Sequence, residues 1–86
     1  MTLATLEGTR VDLAASDGRP TVINLWATWC APCRREMPAL AQAERAHPEV
    51  RFLLINQGEG DARVGDFLKR EGLSFDYILL DPGMAT

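Results

Sequence analysis

The chain has 86 residues, 47% hydrophobic and 24% charged, with nine basic against twelve acidic side chains and a formal net charge of −3. That length holds one small domain, and the balance is that of a folded chain rather than a disordered one. The acidic excess argues against an electrostatic nucleic-acid surface, and the uncharged stretch from Pro20 to Pro32 is too short to span a bilayer.

Residues 3–12 read as a short hairpin, in which Leu6 and Val11 flank Glu-Gly-Thr-Arg and Gly8 supplies the positive φ of a tight turn. The first seven residues carry neither a basic region nor an apolar core, so no secretory signal is expected in them. Residues 14–20 are a connector with turn chemistry at Asp17-Gly18. Residues 21–27 form a nearly continuous apolar run that begins with β-branched side chains, which suits a parallel strand covered on both faces. Residues 31–47 read as a helix, with Met37, Leu40, Ala41 and Glu44 at helical spacing. Pro32 lies in its first turn, Pro38 sits inside it and is expected to kink it, and Pro48 ends it at or before His47. Residues 51–56 are a second strand-like run. Residues 61–71 read as a helix with Val64, Phe67 and Leu68 on one face and a stop at Gly72. Residues 75–80 are a third strand, closed by the turn Asp81-Pro82-Gly83. Residues 83–86 read as the beginning of a further segment. Hairpin, β, α, β, α, β is the order of an α/β fold, a parallel sheet with helices packed on its faces.

Two cysteines alone, Cys30 and Cys33, exclude a multi-disulfide scaffold. They leave a predicted strand and open a helix. A thiolate there meets unpaired backbone N–H groups and the positive end of the helix dipole, which lowers its pKa below the free-cysteine value of about 8.5. With two residues between them, both sulfurs fit on one turn and can close a disulfide without moving the backbone. The expected cycle is attack by Cys30 on a substrate disulfide, a mixed disulfide, and release by Cys33, with Cys30 exposed and Cys33 more buried. Two readings compete: a zinc half-site, for which His47 is the one histidine available, and a pair of inert structural cysteines.

Blander readings apply elsewhere. Trp26 alternates with Asn24 inside a strand and reads as core rather than a cofactor platform, as do Met37 and Phe67. Arg34 and Arg35 follow the pair and either stabilise the thiolate, steer acidic partners or are simply solvated. Gly58-Glu59-Gly60 reads as a flexible loop without nucleotide-binding spacing, and His47 complements a helix C-terminus.

The run Val22-Ile-Asn-Leu-Trp-Ala-Thr-Trp-Cys-Ala-Pro-Cys-Arg-Arg-Glu-Met-Pro38 resembles the thioredoxin superfamily, and within it the TlpA/ResA-like branch of extracytoplasmic thiol-disulfide oxidoreductases. The hairpin and Tyr77-Ile-Leu-Leu-Asp-Pro-Gly83 extend the resemblance more weakly along the whole chain. It implies a thioredoxin-like fold and a disulfide oxidoreductase, with Cys30 as nucleophile and Cys33 as resolving thiol. Trp29 would be the aromatic beside the site, Pro32 the residue that tunes redox balance, and Pro38 the helix-kinking proline. Asn24 stands where thioredoxin has a buried carboxylate, so the general base is open; Glu36, one turn beyond Cys33, is a candidate or else a solvated surface residue.

No metal or organic cofactor is implied. The partners implied are disulfide-containing proteins and a membrane or soluble redox donor, not nucleic acid. The branch leans toward a reductant in a bacterial periplasm, as in cytochrome c maturation, with a cytoplasmic site as the alternative. The family's fold finishes with two antiparallel strands, a helix and a cis-proline loop. Residues 1–86 are therefore expected to be a single thioredoxin-like domain lacking those parts, a fragment with an incomplete sheet. Residues 21–27 would then be an apolar edge open to self-association. A non-catalytic module pairing through that edge and a metal-handling dithiol protein are the alternatives.

Overall fold

Gly8 takes φ +88° between β1 (Thr2–Thr5) and β2 (Arg10–Asp12), and its N–H donates to the Thr5 carbonyl at 3.0 Å, closing the expected hairpin. The computed structural model describes residues 1–14 and 18–84. The Asp17 half of the Asp17-Gly18 turn lies outside the described residues, as do the last two residues of the terminal segment. Beyond the hairpin come β3 (Thr21–Trp26), α1 (Ala31–Ala46), β4 (Arg51–Gln57), α2 (Asp61–Glu71) and β5 (Ile78–Asp81).

The five strands form one sheet in the order β2-β1-β5-β4-β3. β3, β4 and β5 run parallel, and β1 joins β5 antiparallel with Ala4 opposite Leu80. The two crossovers step in the same direction across the sheet. Right-handed connections of that kind put both helices on one face. The expectation of helices packed on the sheet's faces is thus narrowed to one face. Trp26, Phe52, Leu54 and Ile78 pack there against Met37 of α1 and Val64, Phe67 and Leu68 of α2. The Trp26 and Phe67 rings lie 5.5 Å apart, which makes Trp26 a core residue. On the other face Leu53, Ile55 and Leu79 pack against Leu3, with Val11, Leu13 and Tyr77 half-buried around them. Each fully buried aliphatic side chain contributes about 1.5–3 kcal/mol relative to exposure.

Coverage differs sharply between neighbours. Every residue from Arg51 to Asn56 of β4 is buried. β3 pairs with β4 from Thr21 opposite Arg51 to Trp26 opposite Asn56, and it is the last strand of the sheet. Val22, Ile23 and Leu25 are 40%, 50% and 45% exposed. The expectation of a strand covered on both faces therefore fails for β3, because nothing among the described residues lies on its outer flank. The apolar edge expected at residues 21–27 is there.

Other boundaries have local causes. β5 begins at Ile78 rather than at residue 75. Phe75 packs against the helix-side core, and the Asp76 N–H donates to the Glu44 carboxylate at 3.2 Å instead of to a strand. Burial raises the pKa of Glu44 despite that hydrogen bond. α1 contains Pro38 and stops at Ala46, where the His47 N–H caps the Ala43 carbonyl at 2.9 Å and the ring approaches Glu49. α2 ends at Gly72 in the left-handed region. Among the described residues no helix is long and apolar enough to cross a membrane.

Candidate active site

The edge strand delivers the chemistry. At the C-terminal end of β3 the chain passes through Ala27, Thr28 and Trp29 to Cys30, which is the N-cap of α1. The Cys30 N–H donates to the Ala27 carbonyl at 3.2 Å, and the Cys30 carbonyl accepts the first helical bond from Arg34 at 3.0 Å. Cys30 and Cys33 are joined in a disulfide with their Cα atoms 5.3 Å apart. Cys30 Sγ accepts from the Cys33 N–H at 3.3 Å, so the sulfur occupies the position an N-cap oxygen usually holds. No acidic residue sits in the first turn, so nothing in that turn offsets the positive helix end. Cys33 Sγ lies 4.0 Å from the Leu25 carbonyl oxygen, within reach of a thiol donor when the pair is reduced. Both cysteines are half-buried, so the expected contrast of an exposed Cys30 and a buried Cys33 is not seen in overall burial. Their settings do differ, since Cys33 packs against the helix-side core.

Beside the disulfide lies an apolar cleft of about 130 Å³. It is lined by Leu25, Trp26, Ala27, Trp29, both cysteines, Gln57 and Met84. Trp29 is 66% exposed and forms part of its wall. The remaining sequence candidates lie outside this cleft. Asn24 is half-buried in β3 opposite Leu54, Pro32 is exposed between the cysteines, and Glu36 is exposed on α1 without a hydrogen bond or ion pair among the described residues. Among the described residues no group of three or more His, Cys, Asp or Glu side chains could hold a metal.

One residue was missed. Glu59, read as part of a flexible loop, is 8% exposed and fastens the approach to Cys30. Its Oε1 accepts from the Thr28 N–H and from Asn56 Nδ2, both at 2.8 Å. Its Oε2 accepts from the Thr28 hydroxyl and from Arg63 Nε, the latter at 2.8 Å. Burial pushes the carboxyl up, but the Thr28 hydroxyl and N–H, Asn56 and Arg63 together hold its pKa below the ordinary 4.5. The available signal was a lone carboxylate between two glycines, three residues after an Asn that ends a buried apolar run.

A mixed sheet in which a cysteine pair caps the helix that follows a parallel strand is the architecture of a thioredoxin-like protein. Residues 1–86 match the Redoxin family, and the chain belongs to it. Over 84 residues it is 36% identical to thiol-disulfide oxidoreductase ResA of Halalkalibacterium halodurans, covering 95% of this chain and 47% of that one. Among solved structures it is similar to a secreted Mycobacterium tuberculosis disulfide oxidoreductase homologous to E. coli DsbE. That match has a TM-score of 0.85 and 32% identity over 99% of this chain and 63% of the other. StoA from Bacillus subtilis matches with a TM-score of 0.78 and 30% identity, covering 96% of this chain and 64% of that one. The chain spans about half the length of the curated relatives it matches.

Proposed function

We propose that the chain belongs to a thiol-disulfide oxidoreductase that reduces protein disulfides through Cys30 and Cys33. The observation that carries this is the Cys30 sulfur held at the helix N-cap, accepting the Cys33 N–H. A thiolate gains more from that donor and from the helix dipole than a neutral thiol does, so this position favours the nucleophilic form of the Cys30 sulfur once the pair is reduced. The Cys30 thiolate attacks one sulfur of a substrate disulfide; an S–S bond forms as the substrate S–S bond breaks, and the leaving thiolate takes a proton. Cys33 then loses its proton and attacks Cys30 Sγ, closing the protein disulfide and releasing the second substrate thiolate. Two electrons have passed to the substrate; the proton lost by Cys33 balances the one taken up by the first substrate thiolate, and the second thiolate protonates from solvent. The Leu25 carbonyl orients the Cys33 thiol, and Glu36, three positions beyond Cys33 in the sequence, is the candidate to receive its proton. Trp29 and the apolar cleft seat the substrate backbone beside the sulfurs.

Similarity to a secreted disulfide oxidoreductase supports an extracytoplasmic site, and the TlpA/ResA-like resemblance of the sequence is the ground for proposing reduction by a membrane donor and a role of the kind cytochrome c maturation requires. The apolar flank of β3 supports reading residues 1–86 as part of a single thioredoxin-like domain whose sheet is completed by further strands. It also supports a second reading, a module that pairs through this edge with another chain. An insulin-reduction assay with a thiol donor tests the first reading: turnover is expected for the native chain and only background for Cys30→Ser. Equal rates for the two would overturn it. Sedimentation of a chain that shows no turnover distinguishes the second reading, which requires association.

A further inference from the structure

A second cleft, of about 600 Å³, opens on the helix side of the site, and its walls carry Arg34, Arg63, Lys69 and Arg70 against a single carboxylate, Asp66. Four of the nine basic residues of a chain with net charge −3 thus face one space. The side chains of Arg34, Lys69 and Arg70 make no ion pair or hydrogen bond among the described residues. Arg63 uses only its Nε, on Glu59 and on the Thr28 hydroxyl at 3.2 Å, and so leaves its two terminal nitrogens to the cleft. An adjoining shallow cleft shares Arg34 and adds Arg35 and the carboxylate of Glu71. By sequence, Arg34 and Arg35 either stabilise the thiolate, steer partners or are solvated; the fold brings α2 cations up to Arg34.

The position of this cleft matters as much as its charge. Thr28, in its wall, is two residues before Cys30, hence at most about 7.6 Å away along the Cα trace. Arg34 directly follows Cys33. A polypeptide whose disulfide meets Cys30 would place the residues beside that disulfide at the mouth of the cleft, and the volume suits several side chains. We propose that the cleft binds carboxylate side chains flanking the target disulfide, so that acidic segments are the preferred protein substrates. This rests on the oxidoreductase reading for its role but not for its binding. The overall negative charge of the chain repels such partners at long range, so the selectivity comes from the local field, which guanidinium forks pairing with carboxylates are suited to supply.

The test separates binding from exchange. The oxidised chain is titrated with cysteine-free decapeptides carrying four Asp/Glu residues or four Lys residues in the same frame. The acidic peptide is expected to bind about tenfold more tightly at low salt, an advantage that shrinks with added salt. The Lys69→Ser/Arg70→Ser variant is expected to lose about half of it on a logarithmic scale. Both positions are exposed, and a melting curve verifies that the variant folds. Equal binding of the two peptides, or an advantage indifferent to the double substitution, overturns the proposal. Oxidised glutathione or a single-stranded oligonucleotide binding as tightly as the acidic peptide overturns the assignment to polypeptide carboxylates. In parallel, the reduced chain is mixed with disulfide peptides having acidic or neutral flanks. Exchange with both, together with unbiased binding, removes the inference and leaves the oxidoreductase reading; biased binding without exchange does the reverse.

Discussion

β3 and β4 are adjacent parallel strands of similar length and apolar content, yet they do opposite things. Ile23 of β3 and Leu53 of β4 stand opposite each other in register; one is 50% exposed and the other completely buried. β4 has a strand on each side, helices on one face and hairpin residues on the other. β3 has one neighbour. Its value to the protein is where it ends, at the cysteine pair. β4 also contributes at its end, through Asn56 and the Glu59 that follows, which hold the approach to that pair. Stability and reactivity are thus divided between two strands, and the division can be attacked from either side.

The largest effect is expected from Cys30→Ser, which removes the reactive group beyond β3 and should take disulfide exchange to background while the reduced chain keeps its melting curve. A reduced variant that melts far below the native chain would show that β3's end also carries the fold. Next comes the paired truncation. Leu53→Ala should cost about 3 kcal/mol in denaturant unfolding, within the usual range of about 2–5 for a buried leucine. Ile23→Ala, directly across the ladder, should cost less than about 1.5 kcal/mol because much of its surface is already in water. Equal losses would erase the contrast between the strands.

Glu59→Gln should cost about 1–3 kcal/mol, since it weakens charge-assisted hydrogen bonds from Thr28, the buried Asn56 and Arg63 to a buried side chain. It should also reshape the acid limb. The folded-state pKa of Glu59 is lowered, so its ionised form stabilises the fold at pH values above the unfolded value near 4.5, and that contribution disappears as pH falls through the lower folded value. The difference in stability between the native chain and the Glu59→Gln variant should therefore shrink steadily below about pH 4.5. Glu44, whose burial raises its pKa, titrates with the opposite sign but is common to both chains and cancels. A difference constant down to about pH 2 would remove Glu59 as the link. The smallest change is expected from Leu25→Thr, which should move stability by less than about 1 kcal/mol. Its visible result should be reduced self-association in sedimentation at high concentration.

Much of this was legible in order and placement. The Cys-Ala-Pro-Cys segment, the two helix stops at His47 and Gly72 and the hairpin at Gly8 each depend on a few neighbouring residues, and local chemistry settles them. What was not legible depended on distant partners. An apolar run looks the same whether it ends up central or lateral, so residues 21–27 and 51–56 could not be told apart by composition; only the resemblance pointed to an edge at the first. The side on which α1 and α2 lie follows from strand order, which periodicity does not encode. Glu59 looked like a loop residue because its partners, Thr28 and Arg63, converge on it from a strand end 31 positions earlier and from the following helix. The late start of β5 has a similar origin, in a carboxylate from α1 that takes the Asp76 N–H.

The double grip of Glu59 on Thr28 has a mechanical meaning. A strand supported along one side would let its tip sway, and a swaying tip would blur the distance between a sulfur and its target. One acidic side chain, receiving both the amide and the hydroxyl of the same threonine, clamps that tip to Asn56 at the end of the buried run of β4. The corner that carries the cysteine pair is thereby tied to a neighbouring strand that contributes neither cysteine.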